Sequence, residues 1–253
     1  MRAALVLFRG RADKEANLLL IAEGTAEAGR AGVELVVFPE AALTGLSNND
    51  DPEHDLPLGE PIPGPVCDRL AAIARDARVW LALGILERDG RTLYDSALLF
   101  NPGGNQVLRY RRIQPQWHGK NANPAVYREG NDVVVVPAPW GPTAFALCGD
   151  LFDDGIIARI RQSAPTVLLW LVARNFPDGA IDNGRWEAGE EKDYTGRAAL
   201  CGCKVLMVNA LGNPHTEKYP PFGAAFATNA DGRVIARWPA GREGIVYTEL
   251  DGK

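Results

Sequence analysis

The chain has 253 residues, enough for one large domain or two small ones with a full hydrophobic core. Hydrophobic residues make up 46% of it and charged residues 23%, as in an ordinary globular protein, and the formal net charge is −5. This acidic balance, without a block of basic residues, argues against nucleic acid as a partner. No apolar run approaches the length of a membrane span, so no membrane partner is expected.

The four cysteines indicate the redox compartment. Four cysteines, scattered over a chain of this size, are not a disulfide framework. The apolar stretch within MRAALVLFRG is too short for a secretory signal and lacks a small-residue cleavage site. We therefore expect a reduced, cytoplasmic protein.

Apolar runs of strand length alternate with helical patterns along the chain. Helices are predicted at 13–31, 63–78, 153–163 and 184–201. Strands are predicted at 3–8, 34–38, 79–87, 93–100, 105–112, 132–137, 143–148, 166–172, 204–209, 223–228, 231–238 and 244–250. Strand–helix–strand units with added hairpins predict an α/β protein whose helices cover sheet faces. Two sheets are expected, because the strands are too many for one open sheet. No linker or repeat interrupts the pattern, which favours a single domain over residues 1–253.

Glu40 is the first candidate functional residue. It follows the predicted strand 34–38 and Pro39, within the stretch ELVVFPEAALTGL. Ligands of open α/β sheets bind at the carboxyl ends of strands, so this position suits a functional carboxylate. The alternative is an exposed loop carboxylate, which is what most glutamates are.

Cys148 is the second candidate. It ends the predicted strand 143–148 in FALCGDLF, just before the predicted helix 153–163. A thiol near a helix N-terminus has its thiolate stabilised by the helix dipole, and nearby N–H groups can hold an oxyanion. The alternative is a buried thiol that only packs. Cys67, Cys201 and Cys203 are expected to pack, because no cysteine or histidine near the Cys-Gly-Cys pair has zinc-like spacing.

The basic residues and histidines offer weaker signals. His118 is the best placed of three scattered histidines for a cysteine–histidine pair, but a surface or pocket-lining position is the simpler interpretation. The segment RYRR at 109–112 is either a solvated charge run or a source of fixed positive charge near the thiolate and the oxyanion.

Together these motifs resemble the nitrilase superfamily of carbon–nitrogen hydrolases. MRAALVLF, with Asn17 downstream, is similar to its opening strand and helix, and VVFPEAALTGL to its glutamate motif. LYDSALLFNPGGNQVLRYRR resembles its Tyr-Asn-Ser strand, glycine turn and Tyr-Arg-Lys segment. YREGND with WGPTAFALCGD resembles the loop and cysteine elbow, and RWEAGEEKDYTGRAAL, VLMVNALG and FGAAFATNADGRVIA resemble the closing helix and C-terminal strands. The resemblance covers nearly the whole chain.

This resemblance implies a four-layer α-β-β-α sandwich, assembled as homodimers or higher oligomers, without a metal or organic cofactor. It also implies a Glu-Lys-Cys catalytic set, in which Glu40 is the general base and Cys148 the nucleophile. The thiolate would attack an amide, nitrile or carbamoyl carbon of a small-molecule substrate. Ammonia or an amine would leave, and water would hydrolyse the thioester.

The chain departs from the family pattern near the expected site. Arg112 stands at the position of the family lysine, where it can stabilise an oxyanion but cannot share a proton. Lys120, in the following loop, is a possible substitute. Of the family's second glutamate only Glu129 remains, displaced into a neighbouring loop. Gly149 replaces the tyrosine after the cysteine, whereas Asp150 is retained.

Several aromatic residues fall near predicted strand ends and loops, where they line the pocket or simply fill the core. They are Trp117, Tyr127, Phe152, Trp170, Phe176 and Trp186. The acidic stretch 48–60 is either a rim that disfavours anionic substrates or a solvated loop.

Three functions remain open at this stage. The first is a hydrolase of non-peptide C–N bonds that uses Cys148. The second is a catalytically impaired homologue that binds a small molecule or a protein, which the missing lysine supports. The third is a cysteine-dependent acyltransferase, in which an amine replaces water.

Overall fold

Two β-sheets packed face to face form the centre of the protein in a computed structural model that describes residues 1–45 and 47–249. The strands are β1 (Arg2–Leu7), β2 (Leu35–Val37), β3 (Glu60–Pro61), β4 (Trp80–Asp89), β5 (Thr92–Phe100), β6 (Gln106–Arg111), β7 (Val135–Val136), β8 (Thr143–Leu147), β9 (Val167–Val172), β10 (Lys204–Asn209), β11 (Gly223–Thr228), β12 (Val234–Ala240) and β13 (Gly244–Glu249). The helices are α1 (Lys14–Arg30), α2 (Pro52–Asp55), α3 (Pro65–Ala77), α4 (Asp154–Ser163), α5 (Asn183–Arg185) and α6 (Glu191–Leu200).

Each sheet combines a parallel centre with antiparallel additions. The first sheet has the order β13-β1-β2-β4-β5-β6, with β3 beside β4, and its strands β1, β2 and β4 are parallel. The second has the order β12-β11-β10-β9-β8-β7, and its strands β8, β9 and β10 are parallel. The carboxyl ends of β2 and β8, which precede Glu40 and Cys148, therefore belong to different sheets.

The sheets and helices form four layers. Side chains such as Leu5, Val37, Leu147 and Val208 fill the space between the two sheets. Helices α1 and α3 cover the outer face of the first sheet, and α4 and α6 cover that of the second. Strands buried on both faces carry continuous apolar runs, as the sequence of β9 does. The predicted α-β-β-α sandwich is confirmed.

Most predicted elements are confirmed, and the differences concern the extent of an element or short elements that were not predicted, such as β3. The predicted strand 132–137 is reduced to β7, an edge strand that pairs with β8 alone. The predicted helix 184–201 is a composite of α5, a π-helical turn at Trp186–Glu190 and α6. The short helix α2 lies within 48–60, where only a loop was predicted. The last residue of the predicted strand 244–250 lies outside the described residues.

Helix lengths bear on membrane association. Among the residues that the structure describes, no helix is long and apolar enough to cross a membrane.

Candidate active site

Cys148 sits in a strained turn at the carboxyl end of β8. It has a φ of 37°, in the left-handed region that non-glycine residues rarely adopt, and it opens a 3₁₀ turn at Cys148–Phe152. Helix α4 begins only at Asp154, where the Asp153 side chain caps it by accepting a hydrogen bond from the N–H of Ile156 at 3.0 Å. The predicted helix 153–163 thus follows Cys148 as expected, but the 3₁₀ turn keeps the thiol outside the first turn of the helix.

Asp150 and Trp170 hold this turn in place. The carboxylate of Asp150 is buried and accepts hydrogen bonds from the N–H of Leu147 at 2.8 Å, the N–H of Gln114 at 2.9 Å and the hydroxyl of Tyr110 at 2.6 Å. Burial raises the pKa of Asp150, and these hydrogen bonds oppose the rise. The indole of Trp170 donates to the carbonyl of Cys148 at 2.9 Å. Both predicted residues thus support the backbone at the thiol.

Glu40 is held by a close approach of two backbones. It follows β2, and the neighbouring strand β4 contributes Gly84, whose N–H donates to the carbonyl of Pro39 at 3.0 Å. The carbonyl of Gly84 accepts from the N–H of Ala42, also at 3.0 Å. A Cβ at Gly84 would lie 2.5 Å from the Cα of Glu40, so only glycine permits this contact. The carboxyl group of Glu40 is completely buried.

Strand alternation divides the arginines of RYRR between two faces. Arg109 and Arg111 both bond to the buried carboxylate of Glu87, away from the sheet interface. Tyr110 and Arg112 face the other way, toward Glu40 and Cys148. The run therefore supplies one fixed positive charge to the site, as one of its two interpretations predicted.

Arg112 links three side chains of the site. Its Nη1 donates to Oε1 of Glu40 at 2.9 Å and to Oδ2 of Asp95 at 3.3 Å, and its Nη2 donates to Oε1 of Gln114 at 2.9 Å. The Arg112 side chain is 3% exposed, so water screens these charges little. The arrangement is a buried network of two carboxyl groups and one guanidinium.

The electrostatics of the network follow from its burial. Burial raises the pKa of Glu40 to about 8, and the negative charge of a Cys148 thiolate adds to the rise. Burial and the charge of Glu40 hold the pKa of Asp95 well above its usual range. Burial lowers the pKa of Arg112, but Cys148, Glu40 and Asp95 more than offset this effect, so it stays cationic.

A cavity of about 340 Å³ opens over Cys148, within the size range of small-molecule sites. Its lining residues are Arg112, Gln114, Gln116, Cys148, Gly149, Phe152, Arg174, Glu190, Asp193 and Tyr194. A Cβ at Gly149 would lie 2.6 Å from Oε1 of Gln114 and 2.8 Å from Nη2 of Arg112. The glycine thus leaves room for the guanidinium beside the Cys148 thiol. Glu40 lies behind Arg112 and does not line this cavity.

Only one of the six predicted aromatic residues, Phe152, lines the cavity. Trp117 and Tyr127 pack in a separate cluster, where the Tyr127 hydroxyl donates to the buried carboxylate of Asp55 at 2.7 Å. Phe176 and Trp186 belong to the core beside the second sheet, as does Trp170. The sequence placed all six near strand ends, but the direction of each side chain depends on its packing partners.

The remaining predicted residues lie outside the cavity. Nε2 of His118 pairs with Oε1 of Glu129 at 2.7 Å, so neither residue approaches Cys148. Lys120 is exposed and does not line the cavity, which removes the geometric basis for a lysine substitute.

The other cysteines pack in the core, as predicted. Cys67, Cys201 and Cys203 are buried, and burial raises their pKa values to about 11, 12 and 12. Within residues 1–45 and 47–249, no group of three or more His, Cys, Asp or Glu side chains could hold a metal ion.

Asp95 belongs to the site but was not among the residues predicted from the sequence. It lies on β5, is 2% exposed, and its carbonyl accepts a hydrogen bond from the N–H of Arg112 at 2.8 Å. The signal was present in LYDSALLF, where Tyr94, Asp95 and Ser96 stand in place of the Tyr-Asn-Ser of the related motif.

A family model described as carbon–nitrogen hydrolase matches residues 2–253. The chain belongs to the carbon–nitrogen hydrolases of the nitrilase superfamily. It is 30% identical over 232 residues to the bifunctional nitrilase/nitrile hydratase NIT4A of Nicotiana tabacum, with 83% of this chain and 60% of that protein covered. It is 28% identical to an aliphatic nitrilase of Sinorhizobium fredii, with 94% and 82% covered. The chain thus spans about 60% of the length of the plant nitrilases that it matches.

Solved structures of this family share the fold. The carbon–nitrogen hydrolase of Helicobacter pylori G27 superposes with a TM-score of 0.82 at 18% identity, over 98% of this chain and 87% of that one. A glutamate-to-glutamine mutant of the amidase of Nesterenkonia sp. AN1 superposes with a TM-score of 0.80 at 19% identity, over 99% and 93%. In that amidase, acrylamide has added to the active-site cysteine.

Proposed function

We propose that the protein is a cysteine-dependent hydrolase that cleaves the C–N bond of a small polar amide through a thioester at Cys148. The observation that carries this proposal is the joint placement of three groups. Cys148 and Arg112 line one cavity, and the buried Glu40 behind them pairs with Arg112 and interacts with the Cys148 side chain.

Glu40 has the properties of a general base in this reaction. A base works best when its pKa lies near the working pH, and burial raises the pKa of Glu40 to about 8. An ordinary thiol has a pKa of roughly 8.5, so proton transfer from a thiol to such a base costs little free energy. Ionised Glu40 takes the proton of Cys148, and the sulfur forms a bond to the amide carbon while the carbonyl oxygen becomes an oxyanion.

The proton that Glu40 has taken from Cys148 is then transferred to the leaving group. Glu40 returns it to the amide nitrogen, the C–N bond breaks, and ammonia leaves a thioester on Cys148. Glu40, ionised again, accepts a proton from water as the water oxygen attacks the thioester carbon. Breakdown of this second intermediate releases the carboxylic acid and returns the proton to the sulfur.

Arg112 supplies the positive charge for both oxyanions. It lines the cavity beside Cys148, and its burial strengthens its attraction for a negative oxygen. Because an arginine does not release its proton, every proton transfer in this scheme goes through Glu40.

The cavity favours a polar substrate. Gln114, Gln116, Arg174, Glu190 and Asp193 contribute polar or charged side chains to its wall, and Phe152 and Tyr194 provide aromatic faces. Such a wall can pair with both the N–H donors and the carbonyl acceptor of an amide, whereas a nitrile group offers only an acceptor. Nitriles and carbamoyl compounds belong in the same substrate panel, because nitrilases are among the relatives.

The structural observations favour hydrolysis over the two other functions. A binding homologue has no need of a buried cation, yet Arg112 is 3% exposed and pairs with Glu40 rather than with a surface acid. An acyltransferase must keep water from its thioester, whereas Cys148 is partly exposed to solvent.

The test combines thiol labelling with turnover. Iodoacetamide should label Cys148 in the folded protein much faster than Cys67, Cys201 and Cys203, as read by mass spectrometry across a range of pH. Ammonia release from the panel should fall more than about 10³-fold in Cys148→Ala, and Cys201→Ala should serve as the matched control. Undiminished turnover in Cys148→Ala would refute the proposed mechanism.

A further inference from the structure

Glu40 and Asp95 are two acidic side chains that share one arginine in the buried site. Their exposures are 0% and 2%. Nη1 of Arg112 lies 2.9 Å from Oε1 of Glu40 and 3.3 Å from Oδ2 of Asp95, so the two carboxyl groups meet at one guanidinium nitrogen. One positive charge therefore faces two groups that are each negative when ionised.

The hydrogen bonding of the pair requires a proton. Two carboxylates have only acceptor oxygens, so they form a hydrogen bond with each other only when one of them is protonated. Oε2 of Glu40 is buried and has no donor among the described residues when both groups are ionised. Buried polar atoms are rarely left in this state.

We propose that Asp95 is a neutral carboxylic acid whose O–H donates a hydrogen bond to the ionised Glu40. Asp95 is thereby the positioning residue of the general base. In this form Asp95 offers one donor and one acceptor, as an asparagine side chain does. The proton remains on Asp95 throughout the reaction and is not transferred to the substrate.

The surroundings explain why Asp95, rather than Glu40, keeps the proton. Burial and the charge of Glu40 raise the pKa of Asp95, whereas the hydrogen bond that Asp95 donates lowers the pKa of Glu40. The titratable and charged groups that act on the pair from the packed elements are Arg112 and Tyr110 of the β6 segment, Cys148 of the turn after β8 and Tyr194 of α6.

The protonation state of Asp95 determines the net charge around the thiolate and the oxyanion. While Asp95 is neutral, one carboxylate balances Arg112, and the guanidinium remains available to an oxyanion. When Asp95 ionises, two carboxylates face one guanidinium, and the excess negative charge opposes both the thiolate and the oxyanion. This consequence for turnover rests on the proposed function, whereas the protonation state of Asp95 does not.

Infrared difference spectroscopy tests the protonation state without a substrate. The spectrum of the wild-type protein at pH 9, where Glu40 is ionised, should contain a carboxylic-acid C=O band that Asp95→Asn lacks. Asp132→Asn, which removes an exposed carboxylate, should keep the band. Glu40→Gln removes the neighbouring charge, so the band should disappear at lower pH than in the wild type.

The pH dependence of kcat/KM tests the consequence. Asp95→Ala should lower kcat/KM by about 10²-fold, as expected for a misplaced base, and Asp95→Asn should recover most of that loss. The alkaline limb of the profile should move upward by about one pH unit or more in Asp95→Asn, because an amide has no proton to lose. The acid limb, set by Glu40 near pH 8, should remain.

The outcomes separate the two proposals. Equal carboxylic-acid bands in wild type and Asp95→Asn would overturn the inference whatever the enzyme hydrolyses. If Asp95→Asn does not fold, an unchanged band in Glu40→Gln would overturn it as well. An Asp95→Asn enzyme that is as impaired as Asp95→Ala would show that a carboxylate is required. A missing turnover in the wild type, with the band present, would refute only the proposed function.

Discussion

Replacing Glu40 by glutamine should flatten the pH dependence of the protein's stability. In the unfolded chain Glu40 ionises near 4.5, whereas burial in the folded protein raises its pKa to about 8. Between these values the folded protein binds a proton that the unfolded chain has released. The free energy of unfolding contributed by this group is therefore highest below pH 4.5 and is lost as the pH rises toward 8.

The magnitude follows from the proton difference. One proton bound only by the folded state changes the free energy of unfolding by about 1.4 kcal/mol per pH unit. Between pH 5 and pH 7 the wild type should lose roughly 2–3 kcal/mol that Glu40→Gln does not lose.

Urea unfolding at pH 5, 6 and 7 measures this difference directly. Comparing the two proteins cancels the groups that titrate equally in both. Glu53→Gln, in the exposed helix α2, is the matched control and should follow the wild type. Parallel curves for wild type and Glu40→Gln would refute the argument, since they would mean that Glu40 is ionised in the folded protein over the whole range.

Three further substitutions test the geometry around the cation. Arg112→Lys keeps the positive charge but cannot reach all the hydrogen-bond partners of the arginine, so we expect kcat/KM within about tenfold of wild type and a stability loss of roughly 1.5–3 kcal/mol by urea unfolding. Arg111→Lys, on the opposite face of the strand, is the control and should leave kcat/KM unchanged. Loss of all turnover in folded Arg112→Lys would show a specific need for the guanidinium. Gly149→Ala places a Cβ 2.8 Å from Nη2 of Arg112 and should lower kcat by about 10²-fold; wild-type kinetics would contradict this. Tyr110→Phe removes the 2.6 Å bond to Asp150, and a melting temperature lowered by roughly 3–12 °C is expected; an unchanged value would show that this hydrogen bond contributes nothing.

The sequence predicted the α/β architecture because strands and helices leave local patterns. Runs such as the one in β9 are apolar throughout because both faces of the strand are buried, and helix α1 starts where Asp13 caps it. The positions of Glu40 and Cys148 after strands were readable for the same reason. The resemblance of the motifs then indicated the family, and the comparisons confirmed it.

Only the tertiary structure decided which side chains meet at Cys148. Trp117 and Tyr127 lie near strand ends in the sequence, yet they pack in a cluster of their own. Asp95 sits in the middle of a buried strand, where its pattern resembles any core position, and its partner Arg112 directly follows the adjacent strand β6. Contacts between distant segments depend on sheet register and on side-chain direction, and neither is encoded in a short stretch of sequence. For this reason the sequence pointed to Cys148 and Glu40 as candidate residues, whereas the buried Asp95 beside Glu40 became visible only in the pairing of β5 with β6.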